Sequence, residues 1–333
     1  MLAVNQKNGA ASCVEMGALI RPRIYLLCSQ HQPSLNYHLT STESTMAARP
    51  TLPYFAPAAL LPAPLPTVAE ILASKRRISA YYEAPVVRIG DHYAVKYGKG
   101  TSLQEGENML FVQQSTSIPV PKVYALFHDK ATKNDFIVMD YIPGRELKAV
   151  WDELSTAEKR TISLQLRRNL DELRSIPSPG YYGGIWRQVI RDFYFTDTES
   201  IRPHPEPELS GPKETEEQWA EAMWQCLKKV VMVTGERELA MFRRHYHAIF
   251  KGHKPVFTHA NLFTGNIMLK EDGTVVIIDW ERAGWYPSFW EYCCTILLVR
   301  HEDDWGEWVH EILDTYVGEL GWMAHHRTTL SHY

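Results

Sequence analysis

The sequence predicts an α+β protein of two lobes, a small antiparallel sheet carrying one helix followed by a larger, mostly helical region. Three observations lead there. β-rich runs joined by turn residues fill the stretch from Val86 to Asp140. Past Gly144 the periodicity switches from that of strands to that of helices. A single strand-rich island, Val256 to Asp279, then interrupts the helical part. The expected boundaries are a leader of low order over 1–65, a first lobe over 66–143 and a second lobe over 144–333. With 333 residues, 45% of them hydrophobic, the chain has material for a full core without staples.

Composition narrows the class of partner. A net charge of -4 provides no field to gather nucleic acid or an anionic membrane surface, which leaves a small molecule as the expected partner. The five cysteines, Cys13, Cys28, Cys226, Cys293 and Cys294, show neither metal-ligand spacing nor a disulfide framework, and a reducing, cytoplasmic compartment fits them. No apolar run approaches the roughly 18 residues of a membrane span; the stretch from Ala18 to Cys28 is broken by Arg21, Pro22 and Arg23. A monomer or weak dimer is expected. The leader is rich in Ser, Thr, Ala and Pro, lacks sustained periodicity, and is expected to be dispensable for folding; Met46 opens an alternative start within it.

The first lobe begins with VVRIGDHYAVKY, residues Val86 to Tyr97, two β-rich runs around Gly90-Asp91, which reads as a two-residue hairpin turn. In that register Ala94 opposes Val87, and alternation puts Lys96 on the same face. Ser102 to Gln114 reads as a helix, and SIPVPKVYALF and NDFIVMDYIPG supply further strands. Ser155 and Glu158 form a capping box for a helix whose apolar residues Ile162, Leu166, Leu170 and Leu173 recur at helical spacing. Later helices are expected from Thr215 to Val233, Glu236 to Phe250, Ser288 to Arg300 and Trp305 to Leu320.

Within the strand-rich island, NIMLKEDGTVVIIDW turns at Asp272-Gly273, and a two-residue loop there sets Asn266 opposite Asp279. An amide oxygen and a carboxylate on adjacent strand positions suit one hard cation, Mg²⁺ above all. The same two residues also serve simply to end two strands. Upstream, THANLFTGN spaces His259, Asn261 and Asn266 as H-x-N-x-x-x-x-N.

These motifs give a resemblance. Protein kinases carry H-R-D-x-x-x-x-N and a later metal-binding Asp; the aminoglycoside phosphotransferase and choline-kinase-like family carries a similar H-G-D-L-x-x-x-N followed by I-D-W/F. FTHANLFTGNIML and VVIIDWERAGWYPSFWEY look like the fungal branch of the latter. The resemblance covers about residues 80 to 300 and implies a bilobal protein-kinase-like fold and transfer of the γ-phosphate of ATP to a small-molecule hydroxyl. By it Asn266 and Asp279 hold Mg²⁺, His259 braces the catalytic loop, and Asn261 occupies the position of the catalytic base.

Tyr93 to Lys96 resembles the V-A-I-K strand of kinases, whose Lys pairs with the α- and β-phosphates, with Ala94 and Val87 leaving room for a flat base. A solvated strand lysine is the plainer reading of AVK alone. On the following helix Glu105, Met109 and Val112 share one stripe, which makes Glu105 the expected partner of Lys96, in preference to Glu107 off that stripe. VMDYIPG resembles the interlobe hinge, implying that Asp140 and Tyr141 offer backbone groups to adenine; an ordinary strand before a Pro-Gly turn reads the same way.

The sequence departs from the family pattern twice. No glycine lies between Arg76 and Ile89, so the Gly-rich phosphate loop is missing or replaced by a short connection near Ser79 to Glu83. Asn261 stands where an aspartate is expected, and an amide has no useful basicity. Retained nucleotide binding with slow or lost transfer is the physical expectation, since charge neutralisation and positioning carry most of phosphoryl transfer. For the acceptor, Asp192, Asp197, Glu199, Glu206 and Glu208 with Tyr181, Tyr182, Trp186, Trp285, Tyr286 and Trp290 suit a cationic amine, or else are solvated acids beside packing aromatics.

Overall fold

The first lobe is a five-stranded antiparallel sheet in the order β1-β4-β5-β3-β2, with β1 Tyr54–Phe55, β2 Val86–Ile89, β3 Tyr93–Gly98, β4 Val123–Asp129 and β5 Asn134–Asp140. The computed structural model describes residues 47–79, 83–195, 206–230, 235–299 and 303–332. Most of the connection expected in place of a phosphate loop, 80–82, lies outside them, as do residues 1–46 of the expected leader. The rest of that leader is not of low order. Tyr54 and Phe55 pair with Leu126 and Ala125, and Ala56, Leu61, Ala63 and Leu65 pack on the outer face of the sheet beside Val87, Val95, Phe136 and Val138. The short helix α1, Val68–Ala73, adds Ile71 to the same cluster. A Pro-rich stretch fits here because an edge position and short turns ask for few backbone N–H groups.

The first hairpin differs from its expected register by one residue. Its loop is Gly90-Asp91-His92, so Val87 faces Val95 and Arg88 faces Ala94. Gly90, at φ +58, supplies the left-handed position, and Asp91 is held by the Arg88 guanidinium at 2.8 Å. A one-residue slip exchanges faces. Val87 therefore lies in the outer cluster with Tyr93 and Val95, away from Ala94 and Lys96, which share the inner face with Ile137 and Met139.

Against that inner face lies α2, Leu103–Ser115, capped by Ser102, whose Oγ accepts the Gln104 N–H. Residues 104–112 are all buried, because the helix has the sheet on one side and the second lobe on the other. Asn108 donates to Trp280 O at 2.7 Å and to Ala283 O at 3.3 Å. The expectation of one buried stripe, with Glu107 outside it, is thus corrected: Glu107 is buried too. Gly106 is what permits the close approach of α2 to the sheet, since a Cβ there would lie 2.1 Å from Leu126 Cδ2, itself fully buried.

Beyond Gly144 the chain forms a three-stranded sheet, β6 Arg145–Glu146, β8 Ile267–Leu269 and β9 Val275–Ile277 in the order β6-β8-β9, and a two-stranded pair of β7 Pro255–Thr258 with β10 Gly284–Pro287. Helices surround them: α3 Leu147–Val150, α4 Thr156–Ser175, α5 Pro207–Ser210, α6 Glu216–Val230, α7 Glu236–Ile249, α8 Trp290–Leu298, α9 Trp305–Ile312 and α10 Val317–His332. The capping box of α4 is formed by Ser155 and Glu158, and Ile162, Leu166, Leu170 and Leu173 face the core. The helix expected from Trp305 to Leu320 is instead two. Leu313 turns extended after α9 and is itself buried, while Asp314 meets Arg167 of α4 at 2.9 Å. Trp151, Trp219, Trp280, Trp285 and Trp290 are fully buried in one continuous core that also takes in Met109 to Val112 of α2. Among the described residues no helix is long and apolar enough to cross a membrane.

Replacing Gly106 by alanine tests the seat of α2. An alanine gains about 1 kcal/mol of helix propensity, but overpacking against Leu126 typically costs about 1–3 kcal/mol. Denaturant unfolding of Gly106→Ala is expected to show a net loss of stability; a gain would mean that the helix does not depend on this close approach.

Candidate functional site

Lys96 enters the cleft between the lobes from the inner face of β3. Its Nζ lies 2.5 Å from Glu105 Oε2 and 2.9 Å from Asp279 Oδ1, with the lysine side chain 11% exposed. Burial works against the lysine's charge, but Asp279 and then Glu105 outweigh it, raising its pKa and keeping it an ammonium at neutral pH. Burial pushes Glu105 up, with Lys96 drawing it back. For Asp279 burial also opposes the charge, yet Lys96 prevails and holds the carboxyl below its usual range. Ala94, buried two residues before Lys96, leaves a shallow wall on the same face.

Asp279 and Asn266 are not cross-strand partners, as a two-residue loop would have made them. Ile267 pairs with Ile277, and Asn266 lies across from Ile278, whose N–H donates to Asn266 O at 3.0 Å. The loop takes three residues, Glu271 to Gly273. Gly273 sits at φ +79, its N–H donates to Lys270 O, and Asp272 Oδ1 accepts the Thr274 N–H at 3.0 Å. The loop is closed by a left-handed glycine. Asp279 lies two residues beyond β9 with φ 64 and ψ 59. Such a conformation costs about 1–2 kcal/mol for a non-glycine residue and is tolerated best by Asn and Asp. A turn of the backbone, and not strand pairing, aims its carboxylate at Lys96.

The loop between β7 and β8 supplies the other side. Asn266 Nδ2 donates to Asn261 O at 2.9 Å, which leaves Oδ1 as the acceptor end of that amide. Asn261 Nδ2 donates to Asp279 Oδ2 at 3.2 Å, so both oxygens of Asp279 are answered, one by Lys96 and one by Asn261. The Asn261 N–H donates to His259 Nδ1 at 3.3 Å, and His259 Nε2 meets Ile278 O at 3.0 Å. A carbonyl only accepts, so the proton sits on Nε2. Burial pushes His259 down to about 4, and the ring is neutral at neutral pH.

Three residues that the sequence reading missed, Glu281, Arg282 and Glu291, complete the site. Glu281 brings its carboxylate within 4.8 Å of those of Glu105 and Asp279. Arg282 raises the local positive charge, but Glu105, Asp279, Glu281 and Asp192 outnumber Lys96 and Arg282. The group is short of cationic charge, and its oxygen donors, together with Asn266 Oδ1, are the donor set that a hard divalent cation takes. The residues therefore fit Mg²⁺. Glu291 of α8 is buried and accepts the His259 N–H at 2.6 Å and the Ala260 N–H at 3.1 Å, holding Ala260 in the left-handed region at φ 62. Its signal in the sequence was faint: one acid inside the apolar run from Phe289 to Leu298.

At the expected hinge the backbone donors are already taken. The Asp140 N–H donates to Lys122 O at 2.9 Å and the Tyr141 N–H to His92 O at 2.8 Å, so neither N–H is offered to a base. The sheet continues through both residues and spends their donors. The Asp140 carboxylate accepts the Tyr124 hydroxyl at 2.5 Å. On the acceptor side Asp192 is a buried acid, bonded to the Tyr194 N–H and to Trp290 Nε1, and not a solvated one. Tyr181, Tyr182, Trp285, Tyr286 and Trp290 are buried in the core. Glu206 pairs with Lys229. Asp197 and Glu199 lie outside the described residues.

Burial pushes Glu291 up to about 7 from its ordinary 4.5. An acid whose folded pKa is raised contributes stability that is present below the unfolded value and lost as pH rises through the folded one. Glu291→Gln is expected to lose about 1–3 kcal/mol, because a single oxygen replaces two acceptors for the buried N–H groups. The difference in unfolding free energy between wild type and this variant is expected to shrink between about pH 4.5 and 7. A difference that does not vary with pH in that window would show that Glu291 is ionised throughout.

A profile of the phosphotransferase enzyme family matches residues 76–326. Among solved structures, a thermostable variant of aminoglycoside phosphotransferase APH(4)-Ia in ternary complex with ADP and hygromycin B is 12% identical, with a TM-score of 0.50, covering 77% of this chain and 86% of that one. The streptomycin–ATP ternary complex of APH(2″)-IIa is 17% identical with a TM-score of 0.49, over 78% and 83% of the two chains. Choline kinase LicA from Streptococcus pneumoniae is 14% identical with a TM-score of 0.46, over 79% and 83%. No curated protein matches the chain in sequence. The profile begins ahead of β2, takes in the strand that carries Lys96 and the turn at Asp279, and ends within α10, and the chain belongs to the phosphotransferase enzyme family.

Proposed function

We propose that this protein binds MgATP in the cleft and transfers the γ-phosphate to a hydroxyl of a small metabolite, slowly, because Asn261 stands at the position of the catalytic aspartate. The observation that carries the reading is the clasp of Lys96 between Glu105 and Asp279, with Asn266 and Glu281 beside it. The ADP in APH(4)-Ia supports a nucleotide for this cleft as well.

In this reading Lys96 binds the α- and β-phosphates and is itself kept in place by Glu105. Asp279, Asn266 and Glu281 would hold Mg²⁺, which would supply neutralisation of phosphate charge. The acceptor hydroxyl attacks the γ-phosphorus as the bond to the β-phosphate oxygen breaks, giving a phosphate ester and ADP. Asn261 can accept a hydrogen bond from that hydroxyl through Oδ1 and so orient it, but it cannot take the proton, which passes to water or to a phosphate oxygen. A second reading, a nucleotide-binding pseudokinase, has its own support in the bond from Asn261 Nδ2 to Asp279 Oδ2, which turns the side chain toward the cation ligand.

MgATP is expected to stabilise the wild type, by about 2.7 kcal/mol at a concentration 100 times its dissociation constant. Asp279→Ala and Lys96→Ala are each expected to reduce that shift in a thermal-melt titration. An unchanged melting temperature of the wild type at millimolar MgATP would sink the nucleotide reading.

Asn261→Asp puts two carboxylates in contact where an amide now donates at 3.2 Å. The cation-free variant is therefore expected to be less stable than wild type, and Mg²⁺ to restore the difference. A general base is typically worth about 10² to 10⁴-fold. Single-turnover transfer from labelled ATP to a panel of amino-sugars, cholines and other hydroxylated metabolites is expected to rise about ten-fold or more in this variant. If the wild type already transfers at ordinary kinase rates and Asn261→Asp gains nothing, the role given to position 261 is wrong. If neither form transfers yet both bind MgATP, the pseudokinase reading replaces the first.

A further inference from the structure

Helix α2 carries two buried acids with different partners. Glu105 faces Lys96 in the cleft, while Glu107 receives the Arg49 guanidinium, Nε to Oε1 at 2.7 Å and Nη2 to Oε2 at 3.2 Å. The Glu107 side chain is 2% exposed and that of Arg49 is 49% exposed. Two residues along an α-helix are about 200° apart around its axis. The two carboxylates are therefore handles on opposite sides of one rod, one held by a cation from within and one from without.

The outer handle is also tied to the second lobe. Gln188 Nε2 donates to Glu107 Oε2 at 2.7 Å, and Trp186 Nε1 donates to Ala47 O at 2.8 Å while its ring stands edge-on to Phe111 of α2. The turn that presents these side chains is unusual: Trp186 and Arg187 are consecutive non-glycine residues with positive φ, 50 and 62. Backbone held in such a conformation persists only where surrounding contacts fix it. Here those contacts are Ala47 and Glu107, together with Tyr181, whose hydroxyl accepts the Arg187 N–H at 2.9 Å, and Glu214, which pairs with the Arg187 guanidinium. Just beyond Arg49 the chain joins the sheet at β1, which anchors the arm at its other end.

We propose that Arg49 is a positioning residue: its fork on Glu107 sets the rotation of α2 about its own axis and thereby the contact of Glu105 with Lys96. Without the guanidinium, Glu107 is a buried carboxylate left with the neutral Gln188 amide, and the helix turns to bring it to water. That same rotation carries Glu105 away from Lys96. The residue touches neither nucleotide nor acceptor; it acts through the helix. The consequence for nucleotide binding rests on the reading of the cleft given above, whereas the contact between Glu105 and Lys96 does not.

The test uses the full chain and two readouts. In the nucleotide-free protein, the rate at which an amine-acylating reagent modifies Lys96, followed by mass spectrometry, is expected to rise about five-fold or more in Arg49→Ala, in the range of ordinary coupling between sites. Trp186→Phe, which keeps the ring against Phe111 but loses the donor to Ala47, is expected to move it the same way and serves if Arg49→Ala does not fold. The second readout is the MgATP dissociation constant, expected to weaken about five-fold or more in Arg49→Ala and to show no further loss when Arg49→Ala is added to Lys96→Ala. Unchanged Lys96 labelling in the folded variants overturns the proposal, as does a loss of affinity that is as large in the Lys96→Ala background. Raised labelling in a chain whose wild type binds no MgATP upholds the role of Arg49 and removes the nucleotide reading instead.

Discussion

The contact on which the rest of the structure depends is that of one buried ammonium with two carboxylates from distant parts of the chain. Lys96 comes from the sheet, Glu105 from the helix laid on it, and Asp279 from a turn 183 residues after the lysine. A buried ion pair is poor as a source of stability, because desolvation offsets most of the attraction. It is strong as a constraint, since displacing any one partner leaves a charge unanswered in the cleft. The two lobes are thus held in one relation by a group that exists to be opened, with Asn108 carrying the same join through uncharged bonds to Trp280 and Ala283.

Around that contact the backbone departs from its preferred conformations at three places, and each departure has an identifiable compensation. Asp279 is left-handed and is answered at both oxygens. Ala260 is left-handed and rests on Glu291. Trp186 and Arg187 are left-handed, and their turn meets the arm at Ala47 and, through Gln188, α2 at Glu107. Strain of this kind gathers where a site is being fixed from several directions. At position 261 the consequence is chemical. A carboxylate there would face Asp279 and call for a cation, whereas the amide answers Asp279 directly, so that both of its oxygens are bonded without one.

The sequence carried the fold class and most of the elements, and it singled out residues that the structure brings together. Lys96, Glu105, Asn261, Asn266, His259 and Asp279 stand within one cluster of bonds because motif spacing places each on a short element whose start and stop are local matters: the Ser102 cap, the capping box at Ser155, the left-handed glycines at Gly90 and Gly273. Periodicity and turn residues act over a few positions, and the chain states them openly.

What those local signals could not fix was anything decided by a second surface. Both hairpins took three-residue loops, and each extra residue moved a pairing by one, so that Val87 went to the outer face and Asp279 left its strand. Loop length is settled by how Arg88 and Asp272 bond their own turns and by what lies beneath, not by the Gly-Asp or Asp-Gly pair itself. Glu107 is buried because α2 is covered on both sides, and a stripe drawn on the helix alone has no knowledge of the second cover. The Pro-rich arm reads as loose until the sheet offers its apolar residues a face and Glu107 offers Arg49 a partner. Glu281 and Glu291 find their partners only when the turn and helix that bear them meet α2, Asp279 and the loop between β7 and β8. The sequence by itself determined which residues could do the chemistry and on which local elements they sit. The tertiary structure alone decided which of them meet, because a charge or hydrogen-bond partner far along the chain leaves no periodic trace near the residue it completes.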